Sequence, residues 1–255
     1  MNYLTNLKNN NMKKITNVFV VDRSGSMDSK TKEVRGGLKQ ALTDIKNDAI
    51  RDVPIAIVGT IVTQFSSHND FEVTVNTTDS TNLDPEIADA YNTRGLTALY
   101  DAVQKSFALV PEGQDGVFAT IFTDGGENDS KEITHDALKK LIEDRKGKGW
   151  VITFMGTSEA DINNAVSLGI SRGNTTSFMN GAQGVANTFS KMSSMRATYT
   201  TASMNPGVYS NKVDMDNLVS EDDKYKDVTD KIVAATAAAV KTKDEPKKDK
   251  KEEVK

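Results

Sequence analysis

At 255 residues, 37% hydrophobic and 27% charged, the chain has the composition of a soluble globular protein that carries charged appendages. Its formal net charge of -4 offers no basic footprint for nucleic acid, and the absence of cysteine excludes disulfides, thiolate metal sites and cysteine nucleophiles. No segment approaches the ~20 apolar residues of a membrane span and no N-terminal run suits a signal peptide, so a cytoplasmic location is the default expectation.

In chain order, residues 1–14 read as a polar, asparagine-rich arm. "NVFVVD" is a continuous apolar run, the pattern of a strand covered on both faces, and it ends on Asp22. Val34, Leu38, Leu42 and Ile45 recur at helical spacing. "VPIAIVGTIVTQF" is too rich in β-branched residues to favour a helix, and with "FEVTVN" across the turn "SSHND" it predicts an antiparallel hairpin at a sheet edge. After a polar stretch, Leu99, Ala102, Val103 and Phe107 form a helical stripe. "GVFATIFTD" is a strand that again ends on an aspartate, Asp124. Ile133, Leu138, Leu141 and Ile142 mark a further helix, "GWVITFMG" a strand, and "SEADINNAVSLG" a short helix closed by Gly169. "NTTSFM" and "GAQGVANTFSKMSSM" complete the pattern as a last strand and helix.

This alternation predicts an α/β fold, a doubly wound and mostly parallel sheet with one antiparallel edge strand and helices on both faces. The domain is expected over residues 15–199, followed by a linker with an alanine-rich helix at 200–240 and a charged, disordered tail at 241–255. Ligands of such sheets bind beyond the carboxyl ends of the strands, where Asp22 and Asp124 both fall.

An aspartate at the end of a buried strand needs compensation by N–H groups, a basic side chain or a metal ion. Ser24 and Ser26 follow Asp22 on one loop, Thr97 sits where a loop enters a helix, and Asp124 opens "TDGGEND". Each has an ordinary reading alone: an Asx-type turn for Asp22, a helix N-cap for Thr97, a turn residue for Asp124. Together, at the right strand ends, they make a set of hard oxygen donors suited to Mg²⁺ or Mn²⁺. Gly25 is expected to let the loop turn tightly so that both serine hydroxyls face one point. Around this set, Arg94 reads as a surface ion-pair residue, Glu127, Asn128 and Asp129 as a rim or a solvated loop, His68 as a surface residue, and Trp150 as packing.

D-x-S-x-S in "DRSGSM", the threonine of "RGLTAL" and the aspartate of "FTDGG" resemble the metal-ion-dependent adhesion site of von Willebrand factor A (vWA) domains. "TDGGENDS", "GWVITFMG" and "SLGI" are further similar to small stand-alone bacterial and phage members. The resemblance implies that Ser24 and Ser26 ligate the ion directly, that Thr97 does so in the ligand-bound arrangement, and that Asp22 and Asp124 act directly or through water. It implies an open position for an Asp or Glu carboxylate from a partner protein. Cytoplasmic members often work with AAA+ ATPases of the MoxR type, which suggests one class of partner.

The leading expectation is therefore a non-enzymatic, metal-dependent protein-binding module. A metal-assisted hydrolase needs a general base, for which His135 is the candidate on the correct side of the sheet; no phosphate loop, GxSxG elbow or HExxH motif is present. A third alternative is an accessory or assembly protein in which the ion only ties loops together.

Overall fold

The computed structural model describes residues 13–50, 56–178, 182–204 and 215–217. Among these, six strands form one sheet: β1 (Lys14–Asp22), β2 (Ile57–Phe65), β3 (Phe71–Thr77), β4 (Gly116–Phe122), β5 (Val151–Gly156) and β6 (Thr175–Ser177). Their order is β3-β2-β1-β4-β5-β6, parallel throughout except for the antiparallel β2–β3 hairpin at one edge. Five α-helices flank it: α1 (Thr31–Ala49), α2 (Leu99–Ala108), α3 (His135–Gly147), α4 (Glu159–Ser167) and α5 (Ala182–Met204). The expected fold class is the observed one.

β1 is central, and the apolar run that predicts it is buried on both faces because its side chains alternate between two cores. Phe19 and Val21 point into a cluster with Val34, Leu38, Leu42 and Ile45 of α1 and with Val185, Phe189, Met192 and Tyr199 of α5. Val18 and Val20 point the other way, against Leu99, Val103 and Phe107 of α2, Leu138 and Ile142 of α3, and Ile162 of α4. Gly37 lets α1 and α5 approach closely, since a Cβ there would lie 2.2 Å from the Phe189 ring. α4 starts with a capping box, Ser158 and Asp161 each bonding the other's backbone, and stops at Gly169, whose φ of +90° is the left-handed conformation that ends a helix.

The polar stretch between β3 and α2 holds two short 3₁₀ segments, Ser80–Asn82 and Pro85–Ala90, and it delivers Tyr91 into the core. α5 runs on to Met204, past the boundary expected at residue 199. The N-terminal arm up to residue 12, most of the linker and the charged tail lie outside the described residues. Among the described residues no helix is long and apolar enough to cross a membrane.

β1 connects to β2 on one side of itself while β4 pairs on the other, so the β1/β4 boundary is the point at which the strand order reverses. In open α/β sheets the loops beyond the carboxyl ends of the strands diverge at such a point and leave the crevice in which ligands bind.

Candidate functional site

Asp22 closes β1 fully buried, with both carboxylate oxygens engaged. Ser24 N–H donates to Oδ1 at 2.6 Å and Thr123 Oγ1–H donates to Oδ2 at 2.6 Å. Burial raises the Asp22 pKa from 3.8 to about 6, and the Asp124 charge pushes the same way, against the bonds from Thr123 and Ser24 that favour the ionised form. The buried Tyr91 hydroxyl donates to the Asp22 backbone carbonyl at 2.7 Å and anchors the strand end.

Residues Gly25–Lys30 form a 3₁₀ turn that leads into α1 and brings the two serine hydroxyls together, Oγ to Oγ, at 3.0 Å. Ser26 Oγ–H then donates to Asp124 Oδ1 at 2.5 Å. The expected role of Gly25 needs correcting. It is absent from the glycines with positive φ, and its N–H donates to the Gly95 carbonyl at 3.1 Å. Gly95 is the glycine the loops require: its φ is +72°, and a Cβ there would lie 2.6 Å from Ser67 Oγ.

Thr97 is 3% exposed and does not cap α2, whose N-cap position is Ala98. The first turn of α2 is capped from another loop, with Tyr100 N–H donating to Glu127 and Asp101 N–H to Ser130 Oγ. Thr97 is held by its backbone instead. Its N–H donates to Asn128 Oδ1 at 2.9 Å and its carbonyl accepts from Asn128 N–H at 3.0 Å. Its hydroxyl has no hydrogen-bond partner among the described residues, while a Cβ built on Gly125 would lie 3.5 Å from both Thr97 Oγ1 and Ser26 Oγ. The space over Gly125 is thus a small cradle on which separate loops turn their hydroxyls.

Three loops are stitched into one rigid unit. Arg94 N–H donates to the Arg23 carbonyl at 2.7 Å, alongside the Gly25–Gly95 bond, and so joins the Asp22 loop to the Thr97 loop. Asn128 joins the Thr97 loop to the Asp124 loop, and Thr123 joins β4 to Asp22. Buried Asp101 accepts from the N–H groups of Lys131, Glu132 and Ile133, which fixes the far end of the Asp124 loop. Such backbone-level support is what a preorganised site needs.

Three cations flank the group. Buried Arg23 pairs with Asp70 and Glu72, each at 2.5 Å, and Arg94 forms a two-pronged pair with the same Asp70 at 2.8 and 2.9 Å. Burial opposes ionisation of Asp70, but the bonds from Arg94, Ser66 and Arg23 outweigh it and hold its pKa at about 2. Lys30, a residue that sequence reasoning passed over, reaches back from the start of α1 and places Nζ 2.6 Å from Asp124 Oδ2. A cation at a helix N-terminus opposes the macrodipole, and that mismatch is the signal in the sequence that could have marked it. His68 bonds Asp129 through its N–H and its Nδ1, tying the β2–β3 turn to the Asp124 loop.

No protein-family model matches the sequence, and no characterised protein matches it by sequence. Solved structures do match by shape. The vWF domain of the type V pili tip protein Mfa5 from Porphyromonas gingivalis aligns with 71% of this chain and 95% of its own, at TM-score 0.54 and 10% identity. This chain has the von Willebrand factor A fold. The vWA fold is also matched in the pilus adhesin SpaC from Lactobacillus rhamnosus GG, at TM-score 0.59 and 16% identity, covering 75% of this chain but only 30% of that one. Proximal thread matrix protein 1 from the mussel byssus, with a zinc-occupied MIDAS motif, aligns over 72% of this chain and 48% of its own, at TM-score 0.53 and 14% identity. The present chain therefore spans about a third of the adhesin it matches.

The donor set fits a small divalent cation. In an octahedron with bonds of roughly 2.1 Å, adjacent ligand oxygens lie about 3.0 Å apart, and the two serine oxygens stand at 3.0 Å. The site is poor in charge: among the described residues no three His, Cys, Asp or Glu side chains gather as a ready-made ion cage. Hydroxyls take the place of further carboxylates, a combination for hard cations held with part of their water.

Proposed function

We propose that this chain is a metal-dependent protein-binding module in which Asp22, Ser24, Ser26, Thr97 and Asp124 hold Mg²⁺ or Mn²⁺ and a partner's Asp or Glu side chain completes the site. The observation that carries this reading is that the Ser26 and Thr97 hydroxyls, each 3.5 Å from a Cβ built on Gly125, converge on one space beside buried Asp22 and half-buried Asp124. Thr97 is 3% exposed as a residue, yet its hydroxyl is not among the polar atoms buried without a partner, so it reaches the surface and is open to a ligand. When bound, the cation supplies one exchangeable coordination position that prefers an anionic oxygen to water.

The chain's own residues do the rest. The stitched loops hold the hydroxyls in place before any partner arrives, which lowers the ordering cost of binding. Leu96, 54% exposed next to Thr97, offers apolar contact at the rim, and half-exposed Arg94 offers charge. These rim groups supply selectivity, because one carboxylate cannot distinguish partners.

A non-enzymatic role is part of the proposal. His135, the base that a hydrolase would need, bonds Asp136 and Ser167 and packs on the Tyr100 ring. The similarity to a pilus adhesin and to a MIDAS-bearing matrix protein supports a binding role. A MoxR-type AAA+ ATPase as partner and a cytoplasmic location are proposals from the sequence resemblance and the cysteine-free composition. The test is a pull-down with wild type and Ser26→Ala, each in Mg²⁺ and in EDTA. Partners recovered by wild type in Mg²⁺ and lost in the other three conditions are expected. Recovery of the same partners in EDTA means that the ion, if present, only ties loops together.

A further inference from the structure

We propose that Lys30 is a tethered cation that competes with the divalent ion for Asp124, and so sets the ion concentration at which the site fills; this rests on the metal-site reading above. Lys30 sits at the N-cap of α1, where the helix dipole disfavours a positive charge. Its side chain is only 10% exposed, against an Asp124 side chain that is 4% exposed. A lysine is kept so buried only when paired, and its partner here is Asp124 Oδ2 at 2.6 Å, with the Ser26 carbonyl at 3.5 Å as a second acceptor.

The other Asp124 oxygen accepts from Ser26 Oγ. Both oxygens of this carboxylate are therefore satisfied by donors of the chain itself. A metal-free protein pays no penalty for an unpaired Asp124, and an ion that bonds this carboxylate must do so against the ammonium. Because Lys30 is covalently tethered a few residues from Ser26, its effective concentration is high and does not dilute. Charge counting gives a second consequence. Asp22 and Asp124 carry two negative charges and Lys30 one positive, so a divalent ion brings the group to one net positive charge. Without Lys30 the filled group would be neutral. The lysine thus weakens ion binding and leaves a filled site that attracts an anion.

The test is calorimetric titration with Mn²⁺ alone, on the full chain as wild type, Lys30→Met and Lys30→Gln. The glutamine variant keeps an N–H donor on the Asp124 side, on a side chain one bond shorter, and removes the charge. Both variants are expected to bind Mn²⁺ at least about tenfold more tightly than wild type. They are also expected to melt at lower temperature in EDTA and to gain more from the ion. In parallel, the Lys30 side-chain ammonium resonance of the wild type should shift as Mg²⁺ saturates the site. Equal affinities in all three proteins, or an ammonium signal unmoved at saturation, overturn the competition and leave the metal site standing. No ion binding by any of the three overturns both readings.

Discussion

Replacing Asp22 by Asn separates the charge of this residue from its hydrogen bonding. The amide keeps an oxygen to accept from Ser24 N–H and presents an NH₂ that can donate to Thr123 Oγ1, so both 2.6 Å contacts keep a partner. What disappears is a buried charge. Burial raises the folded pKa from 3.8 to about 6. Between those two values the folded chain binds a proton that the unfolded chain has released, so stability from this group falls as pH rises and is lowest above pH 6. At about 1.36 kcal/mol per pKa unit, the ionised form costs the metal-free protein about 3 kcal/mol. In EDTA at pH 8, Asp22→Asn should therefore be at least as stable as wild type in urea, and up to about 3 kcal/mol more stable. The gap should close as pH falls toward 4. Saturating Mg²⁺ should raise wild type by about 2.7 kcal/mol at one hundred times Kd and the variant by far less. A variant that loses more than about 1 kcal/mol in EDTA at pH 8 would refute this reasoning, because it would show that the protein alone stabilises the charge.

Thr97→Ala removes a hydroxyl that has no partner among the described residues, so its stability in EDTA should stay within about 0.5 kcal/mol of wild type, while its metal-dependent partner capture should be lost; equal capture by both would dismiss Thr97 as a ligand. Gly37→Ala drives a Cβ to 2.2 Å from the Phe189 ring, and chemical denaturation should show a loss of about 1–3 kcal/mol with Mn²⁺ affinity unchanged, since this contact lies in the α1–α5 core and not in the crevice.

The architecture was legible because it rests on patterns that local chemistry controls. The β1 run, the α1 stripe from Val34 to Ile45 and the Gly169 stop each express one physical rule, and each appears where that rule puts it. Asp22, Ser24, Ser26 and Asp124 were readable as a group because strand ends in a parallel sheet converge on one edge, and the structure brings them into hydrogen-bonding contact. What the sequence hid are partnerships made across long separations. Nothing local says that Tyr91, in a polar stretch, buries its ring and bonds Asp22. Nothing local pairs Asn128 with Thr97, or sends Asp101 to three backbone N–H groups on another loop. Gly25 was credited with a turn because it stands between the serines, whereas the left-handed residue is Gly95, 70 positions away in the chain and adjacent in space.

One divalent ion is expected among Asp22, Ser24, Ser26, Thr97 and Asp124. The direct measurement is anomalous scattering from a crystal of the full chain grown in Mn²⁺ well above its solution Kd. The prediction is a single strong manganese peak over Gly125, bonded to the Ser24 and Ser26 oxygens at roughly 2.1–2.2 Å, with Lys30 Nζ withdrawn from Asp124. A crevice without manganese under those conditions, with Lys30 still against Asp124 and the two serines still bonded to each other, would contradict it.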